Sequence, residues 1–351
     1  MAMLITCKED YERILAREVK LYDAKLQSQG QGWILAQEYE PTISMSQDTA
    51  LADLCFAYHI FESPLRVNAP SVNSLTEKLV DLFLEHIGQT RITQPWAFSF
   101  LSPDREGLIR RAKTVEKYWL EKMARKMSRV SKLAKPGIPQ GARFTEGFFV
   151  YWTDLNQAFV SFKALSLGQQ RMLMDPQAPS RSYLKIEEAF HMFGHEPQKG
   201  DRVIDLGAAP GGWSYSALKR GASVIAIDNG PLREPVNSHP RMCHLRNNAL
   251  TYAHNYDDAV DWLLCDILES PEIILNLLRR WLKERWCRYF VVNLKVGRFD
   301  PIVLLKEIKD ERDGILPYCK HLLIRQLYHD REEITLVGQV RQRSDGRQVK
   351  K

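Results

Sequence analysis

The stretch Val203-Ile204-Asp205-Leu206-Gly207-Ala208-Ala209-Pro210-Gly211-Gly212-Trp213 decides how this chain is read. A short apolar run rich in β-branched residues predicts a buried strand. The run breaks into small residues, a proline and two glycines, then resumes from Trp213 to Arg220 with helical spacing. A strand, a tight loop and a helix start in that order turn backbone N–H groups toward a ligand at the carboxyl end of the strand. Small residues are required there because a Cβ would hold the ligand away from the backbone.

The loop lacks G-x-G-x-x-G spacing, and no Gly-Lys-Ser/Thr follows it, so neither a dinucleotide fingerprint nor a P-loop is present. Instead Ser223-Val224-Ile225-Ala226-Ile227-Asp228 predicts a second strand ending in a carboxylate, which suits a ribose diol. Further strands are expected at Met242–Arg246, Trp262–Asp266, Tyr289–Lys295, Leu322–Tyr328 and Glu333–Val340. Helices are expected at Leu184–Phe193, Trp213–Arg220, Ile273–Glu284 and Ile302–Asp310. This alternation predicts a mostly parallel sheet covered on both faces. Only His329-Asp330-Arg331-Glu332 separates the last two strands, too little for a crossover helix, so they must form an antiparallel hairpin.

Asp205-Leu206-Gly207-Ala208-Ala209-Pro210-Gly211-Gly212-Trp213 resembles the S-adenosylmethionine loop of the FtsJ-like RNA 2′-O-ribose methyltransferases. The resemblance is closest to the branch that methylates a cytidine 2′-hydroxyl of large-subunit ribosomal RNA and carries an N-terminal THUMP-like domain. That branch is matched by Ala178-Pro179-Ser180-Arg181-Ser182, Glu187-Glu188-Ala189-Phe190-His191, Val292-Asn293-Leu294-Lys295 and Gln326-Leu327-Tyr328-His329-Asp330-Arg331-Glu332-Glu333. The likeness is strong over about 178–337 and weak before it. It implies an α/β fold: a Rossmann-like methyltransferase sheet with its last strand antiparallel, preceded by an α+β THUMP-like region. The expected division is 1–172 for the RNA-binding region, 173–341 for the methyltransferase domain, and 342–351 for a disordered basic tail.

The resemblance also implies a Lys-Asp-Lys-Glu tetrad, carried here by Lys185, Asp266, Lys295 and Glu332. The strand pattern places Asp266 and Lys295 at the carboxyl edge, and Glu332 beside it at the start of the reversed strand. Glu333 is the alternative to Glu332, since adjacent strand residues face opposite ways. Lys295 is the expected general base, although an unperturbed lysine with a pKa of about 10.4 is protonated at neutral pH. The second ammonium and desolvation would lower that value and the carboxylates would raise it, so the four titrate as a set. For S-adenosylmethionine the resemblance implies Ser182, Ala209, Pro210, Gly211 and Gly212 around the methionine and sulfonium, with Gly207 and Trp213 also binding the cofactor. Asp228 falls at the ribose and Asn248 near the adenine, where the family commonly has aspartate, and Asp266 serves both cofactor and catalysis.

Other chemistries fit less well. Asp266-Ile267-Leu268-Glu269 departs from the Asn/Asp-Pro-Pro-aromatic motif of enzymes that methylate planar amines. Cys265 should point away from the site if Asp266 faces it. His191 and His195 stand four apart on a helix but lack a further ligand, so no metal is expected. The alternatives kept open are a 2′-O-methyltransferase of transfer RNA or an mRNA cap, and an RNA-binding protein without catalysis.

The first half reads as alternating short strands and helices: Leu4–Cys7, Tyr11–Leu21, Gly32–Ala36, Leu51–Phe61, Pro64–Val67 and Ser74–Ile87. From Arg105 to Lys135 eleven Lys/Arg face three Glu, a net +8 against +6 for the whole chain, so positive charge is concentrated here. Leu108, Ala112, Val115, Trp119, Met123 and Val130 share one helical stripe and leave the bases on other faces. Arg110, Arg111, Lys113, Lys117, Lys122, Arg125 and Lys126 are therefore expected to meet an RNA backbone, a solvated helix being the plainer alternative. Gly147–Trp152 and Ala158–Phe162 read as an aromatic hairpin serving core packing. With 44% hydrophobic and 26% charged residues among 351, the composition is that of a globular protein. Six scattered cysteines without a C-x-x-C pair, no signal peptide and no apolar run of about 18 residues predict a cytoplasmic protein away from membranes.

Overall fold

The computed structural model describes residues 1–38, 51–141, 143–254 and 258–341. The expected tail at 342–351 lies outside them. The chain divides into two compact units, Met1–Gly168 and Gln169–Lys351. The boundary thus precedes the expected one at 172/173. The stretch Met174-Asp175-Pro176-Gln177-Ala178-Pro179, whose two prolines give it the sequence pattern of a linker, is instead tied into the second unit with the residues before it: Asp175 Oδ2 accepts from Tyr215 Oη at 3.1 Å and Lys219 Nζ at 2.6 Å, and Met172 N donates to His329 Nε2 at 2.8 Å.

The first unit is a mixed sheet with helices. In chain order it contains β1 (Ala2–Cys7), α1 (Glu12–Val19), β2 (Ala24–Gly30), β3 (Trp33–Glu38), β4 (Ala57–Glu62), β5 (Leu65–Asn68), α2 (Val72–Ile87), β6 (Trp96–Leu101), α3 (Glu106–Lys126), α4 (Ser128–Leu133), β7 (Ala134–Pro136), β8 (Thr145–Asp154) and β9 (Gln157–Ser166). The strands lie in the order β2-β3-β1-β4-β9-β8-β6-β7, with β5 also paired to β9. Three strands, β2, β6 and the three-residue β7, have no counterpart in the sequence reading. β2 is a polar edge strand with one buried residue in seven, so it carries no apolar alternation. β6 is an apolar run of six, too short for periodicity to tell a strand from a buried helix.

The aromatic hairpin forms as β8 and β9, and its rings fill the core. Phe148, Phe149 and Trp152 are fully buried. Trp119 of α3 stacks on Phe148 at 4.9 Å and meets Phe83 of α2 edge-on at 5.6 Å. Truncating a ring so enclosed costs about 3–5 kcal/mol. The apolar stripe of α3 therefore fixes which face of this helix the solvent sees: Leu108, Ala112, Val115, Trp119 and Met123 are buried, and Lys113, Lys117, Arg125 and Lys126 are exposed.

The second unit runs α5 (Tyr183–Phe193), β10 (Arg202–Leu206), α6 (Gly212–Lys219), β11 (Ser223–Ile227), β12 (Met242–Leu245), β13 (Val260–Cys265), α7 (Pro271–Glu284), β14 (Cys287–Lys295), α8 (Pro301–Lys309), β15 (Cys319–Arg325) and β16 (Glu333–Val340). Its strand order is β12-β11-β10-β13-β14-β16-β15. β10 to β14 pair in parallel, and β16 is antiparallel to both β14 and β15. This is the expected sheet with its last strand reversed. Ser270 and Asp300 cap α7 and α8, each followed by proline at the first helical position, which fixes where those helices start. Trp262 and Phe290 are fully buried in the sheet. Five of the six cysteines are buried and Cys243, on the edge strand β12, is exposed. No helix among the described residues is long and apolar enough to cross a membrane.

Candidate active site

The site lies along the carboxyl ends of β10, β13 and β14. After β10 the chain takes a left-handed step at Gly207 (φ +75°), where a Cβ would stand 2.5 Å from Ile267. Only glycine suits that position. A second left-handed glycine, Gly211 (φ +112°), leads into α6. The loop floors a cavity of about 200 Å³ lined by Ser180, Ser182, Asp205, Gly207, Ala208, Ala209, Pro210, Trp213 and Asp266. Of the residues expected at a cofactor, Ser182, Gly207, Ala209, Pro210, Trp213 and Asp266 line this cavity. Gly212 acts one layer behind, since a Cβ there would press on the Oγ atoms of Ser180 and Ser182. Trp213 Nε1 donates to the Ser182 carbonyl at 3.0 Å and ties the helix to that wall.

Asp228 ends β11 and braces the loop, accepting from Ala209 N at 2.9 Å and Gly230 N at 2.7 Å. Asn248 is exposed, and its Oδ1 accepts from Leu250 N at 2.9 Å within its own turn. Asp205 faces the cavity although it sits within an apolar strand. Burial pushes its carboxyl up to about 7, against the opposing pull of Ser214 Oγ, which donates to it at 2.6 Å. The sequence signal was available: an acid inside an otherwise apolar run.

Three of the four tetrad positions meet beside the cavity. Lys295 Nζ lies 2.5 Å from Asp266 Oδ1. Lys185, in the first turn of α5, lies 3.0 Å from Glu333 Oε1 and 3.9 Å from Asp330 Oδ1. A lysine at a helix N-terminus opposes the helix dipole. Burial would also lower its pKa, yet Asp266, Asp330 and Glu333 outweigh that and raise it.

The fourth position differs from the expectation. Glu333, not Glu332, completes the cluster, with Oε1 also 3.4 Å from Lys295 Nζ. Lys295 and Glu333 are register partners across β14 and β16, so their side chains share a face. Glu332, one residue earlier, is exposed and lies over Gly297. Burial raises the Glu333 carboxyl, but Lys185, the Arg331 amide and Lys295 overcome it and hold it below the usual range. Cys265 is buried, and its thiol is pushed far up by burial, which removes the thiolate a nucleophile needs. His195 packs on Tyr289 and Trp262, and no His, Cys, Asp or Glu group among the described residues is arranged to hold a metal.

On the first unit, the seven expected RNA-facing bases all lie on α3, in different states. Arg110 pairs with Glu106, and Lys122 with Glu77. Arg111 donates to the Leu155 carbonyl at 2.9 Å and to Asn156 Oδ1 at 3.2 Å. Lys113, Lys117, Arg125 and Lys126 stand in solvent.

The sheet order, the glycine-floored cavity and the acid and base side chains at its rim define a Rossmann-like methyltransferase domain. Residues 178–284 match the FtsJ-like methyltransferase family. Relatives named ribosomal RNA large subunit methyltransferase M include that of Halorhodospira halophila, 41% identical over 172 residues that make up 48% of this chain and 49% of the relative. The protein of that name from Thauera aminoaromatica is 40% identical over 179 residues, 48% of each chain. The one from Pseudomonas entomophila is 39% identical over 178 residues, 48% of this chain and 50% of the relative. The chain spans about half the length of these curated relatives.

Proposed function

We propose that this protein transfers a methyl group from S-adenosylmethionine to the 2′-hydroxyl of a cytidine in large-subunit ribosomal RNA. The observation that carries the reading is the cluster of Lys185, Lys295, Asp266 and Glu333 beside the glycine-floored cavity. The names of the relatives support the choice of RNA. The cavity fits the cofactor: two carboxylates, Asp205 and Asp266, and two serines line it, a donor set suited to a cationic ligand, and its floor lacks a Cβ at Gly207. When bound, the sulfonium supplies an electrophilic methyl group.

Asp266 lies both in the cavity wall and against Lys295, so one carboxylate couples the donor side to the acceptor side. Lys295 orients the sugar hydroxyl in line with the methyl and takes its proton. Its amine donates to Asp266, Asn293 and Glu333 at 2.5, 2.7 and 3.4 Å, contacts that fix its place beside the cavity. Lys185 and Glu333 complete the cluster as an ion pair, 3.0 Å apart. The exposed bases of α3 and the α+β unit, read as THUMP-like, hold the RNA by its phosphates.

The test is methyl transfer to unmodified large-subunit RNA by the purified chain, with products mapped by mass spectrometry. A 2′-O-methylcytidine at one position is expected. Methyl groups on bases, or on another RNA class alone, would replace this reading.

A further inference from the structure

Behind Lys295 lies a buried polar network that the tetrad does not include. Asn293, two residues earlier on β14, is fully buried and presents its Oδ1 to Lys295 Nζ at 2.7 Å. Its Nδ2 donates to Asp330 Oδ1 and to Thr335 Oγ1, both at 3.0 Å. The Thr335 hydroxyl donates to Asp330 Oδ2 at 3.0 Å, and Leu327 N donates to the same oxygen at 3.0 Å. Asp330 has no accessible surface.

A primary amide is two-faced: turned by half a revolution it offers NH2 where it offered a carbonyl. What fixes Asn293 is the company on its far side. An ionised carboxylate only accepts, and the Thr335 hydroxyl spends its proton on that carboxylate, so both partners of Asn293 require its NH2. The carbonyl is thereby left facing the lysine.

We infer that Asp330, acting through Asn293, is a positioning residue for the lysine amine: it sets the amide so that an acceptor always faces Lys295. This rests on the methyl-transfer reading above and assigns that site two residues beyond its four. Asp330 also supports Lys185, 3.9 Å away, so one buried carboxylate steadies both ammonium groups.

The idea has a direct test in a swap. In Asp330→Asn the new NH2 takes the place of Oδ1 and meets the NH2 of Asn293, so the amide turns and presents hydrogen to Lys295. In Asn293→Asp a carboxylate meets the Asp330 carboxylate. Combining the two restores alternation: the amide introduced at position 330 donates to the carboxylate introduced at position 293, whose other oxygen accepts from Lys295. Each single variant is expected to lower kcat about 100-fold, with affinity for S-adenosylmethionine within about twofold. The double variant is expected to recover to within about tenfold of wild type. A double variant no better than the worse single one, or singles with wild-type kcat, overturns the inference.

A second readout needs no RNA. Labelling of Lys295 by acetic anhydride, followed by mass spectrometry, is expected to change several-fold in each single variant and to return in the double one. If the wild type transfers no methyl while labelling follows this pattern, the proposed function fails and the positioning role stands. Should the single variants not fold, Thr335→Val against Thr335→Ser carries the test: kcat falls in the first and holds in the second, and equal kcat in both overturns the inference.

Discussion

Lys295 and Glu333 stand directly opposite each other across the antiparallel ladder of β14 and β16, with Nζ and Oε1 3.4 Å apart. The pairing makes the choice between two neighbouring glutamates a matter of strand geometry, because Glu332 projects to the other side.

Glu333→Gln is therefore expected to lower methyl transfer by about 100-fold or more, since it removes the carboxylate that both lysines share. Glu332→Gln is expected to stay within about twofold of wild type. Initial rates for both variants on the same RNA decide the matter. The reverse ranking would return the role to Glu332.

Lys295→Ala is expected to cut kcat by about 10²- to 10⁴-fold, the span of a positioned proton acceptor. Affinity for S-adenosylmethionine, measured by calorimetry, should change little, because Lys295 is not among the cavity-lining residues. Retained turnover would remove the amine from the proton-accepting role.

Stability of the second unit should fall as pH rises, the opposite of the usual carboxylate behaviour. Burial pushes Glu188 up to about 8, against the pull of the amides of Tyr328, His329 and Gln170 that donate to it. A raised pKa means the folded chain binds a proton that the unfolded chain has already lost. The contribution is complete below about 4.5 and is lost as pH climbs through about 8. From pH 6.5 to 8.5 this group alone accounts for about 2 kcal/mol. Thermal unfolding of wild type and Glu188→Gln across that window is the check, with a flatter dependence expected in the variant. Parallel curves would assign Glu188 an ordinary titration.

Replacing Lys113, Lys117 and Arg125 together by alanine is expected to weaken RNA binding and to reduce the slope of log K against log salt by about 2, near 0.7 per lost phosphate contact. These bases are exposed, and their removal leaves the buried stripe of α3 intact. An unchanged slope would make the helix a solvated face. Arg110 and Arg111 are poorer probes, since the first pairs with Glu106 and the second holds the turn at Leu155 and Asn156.

The second unit was legible because its physics is local. Apolar runs of strand length, cut by Gly207 and Gly211 and followed by capped helices, give the alternation directly. Asp266 and Lys295 were legible for the same reason, each standing at a strand end. Glu333 was not, because facing is a property of register, which a single strand does not carry. Asn293 and Asp330 lay in quoted motifs without roles, since their importance arises from a hydrogen-bond network spanning 37 residues. In the first unit the polar edge strand β2 left no pattern to read; in the second, Asp175 ties the proline-bearing stretch 174–179 down through side chains some 40 residues away.

The distribution of thiols offers a practical handle. Cys243 alone is open to solvent, on the outermost strand of the second sheet, while the other five, all among the described residues, are enclosed. A maleimide dye added to the native chain should attach at that one place without engineering, giving a fluorescent reporter whose anisotropy follows RNA capture while the lysine cluster remains untouched.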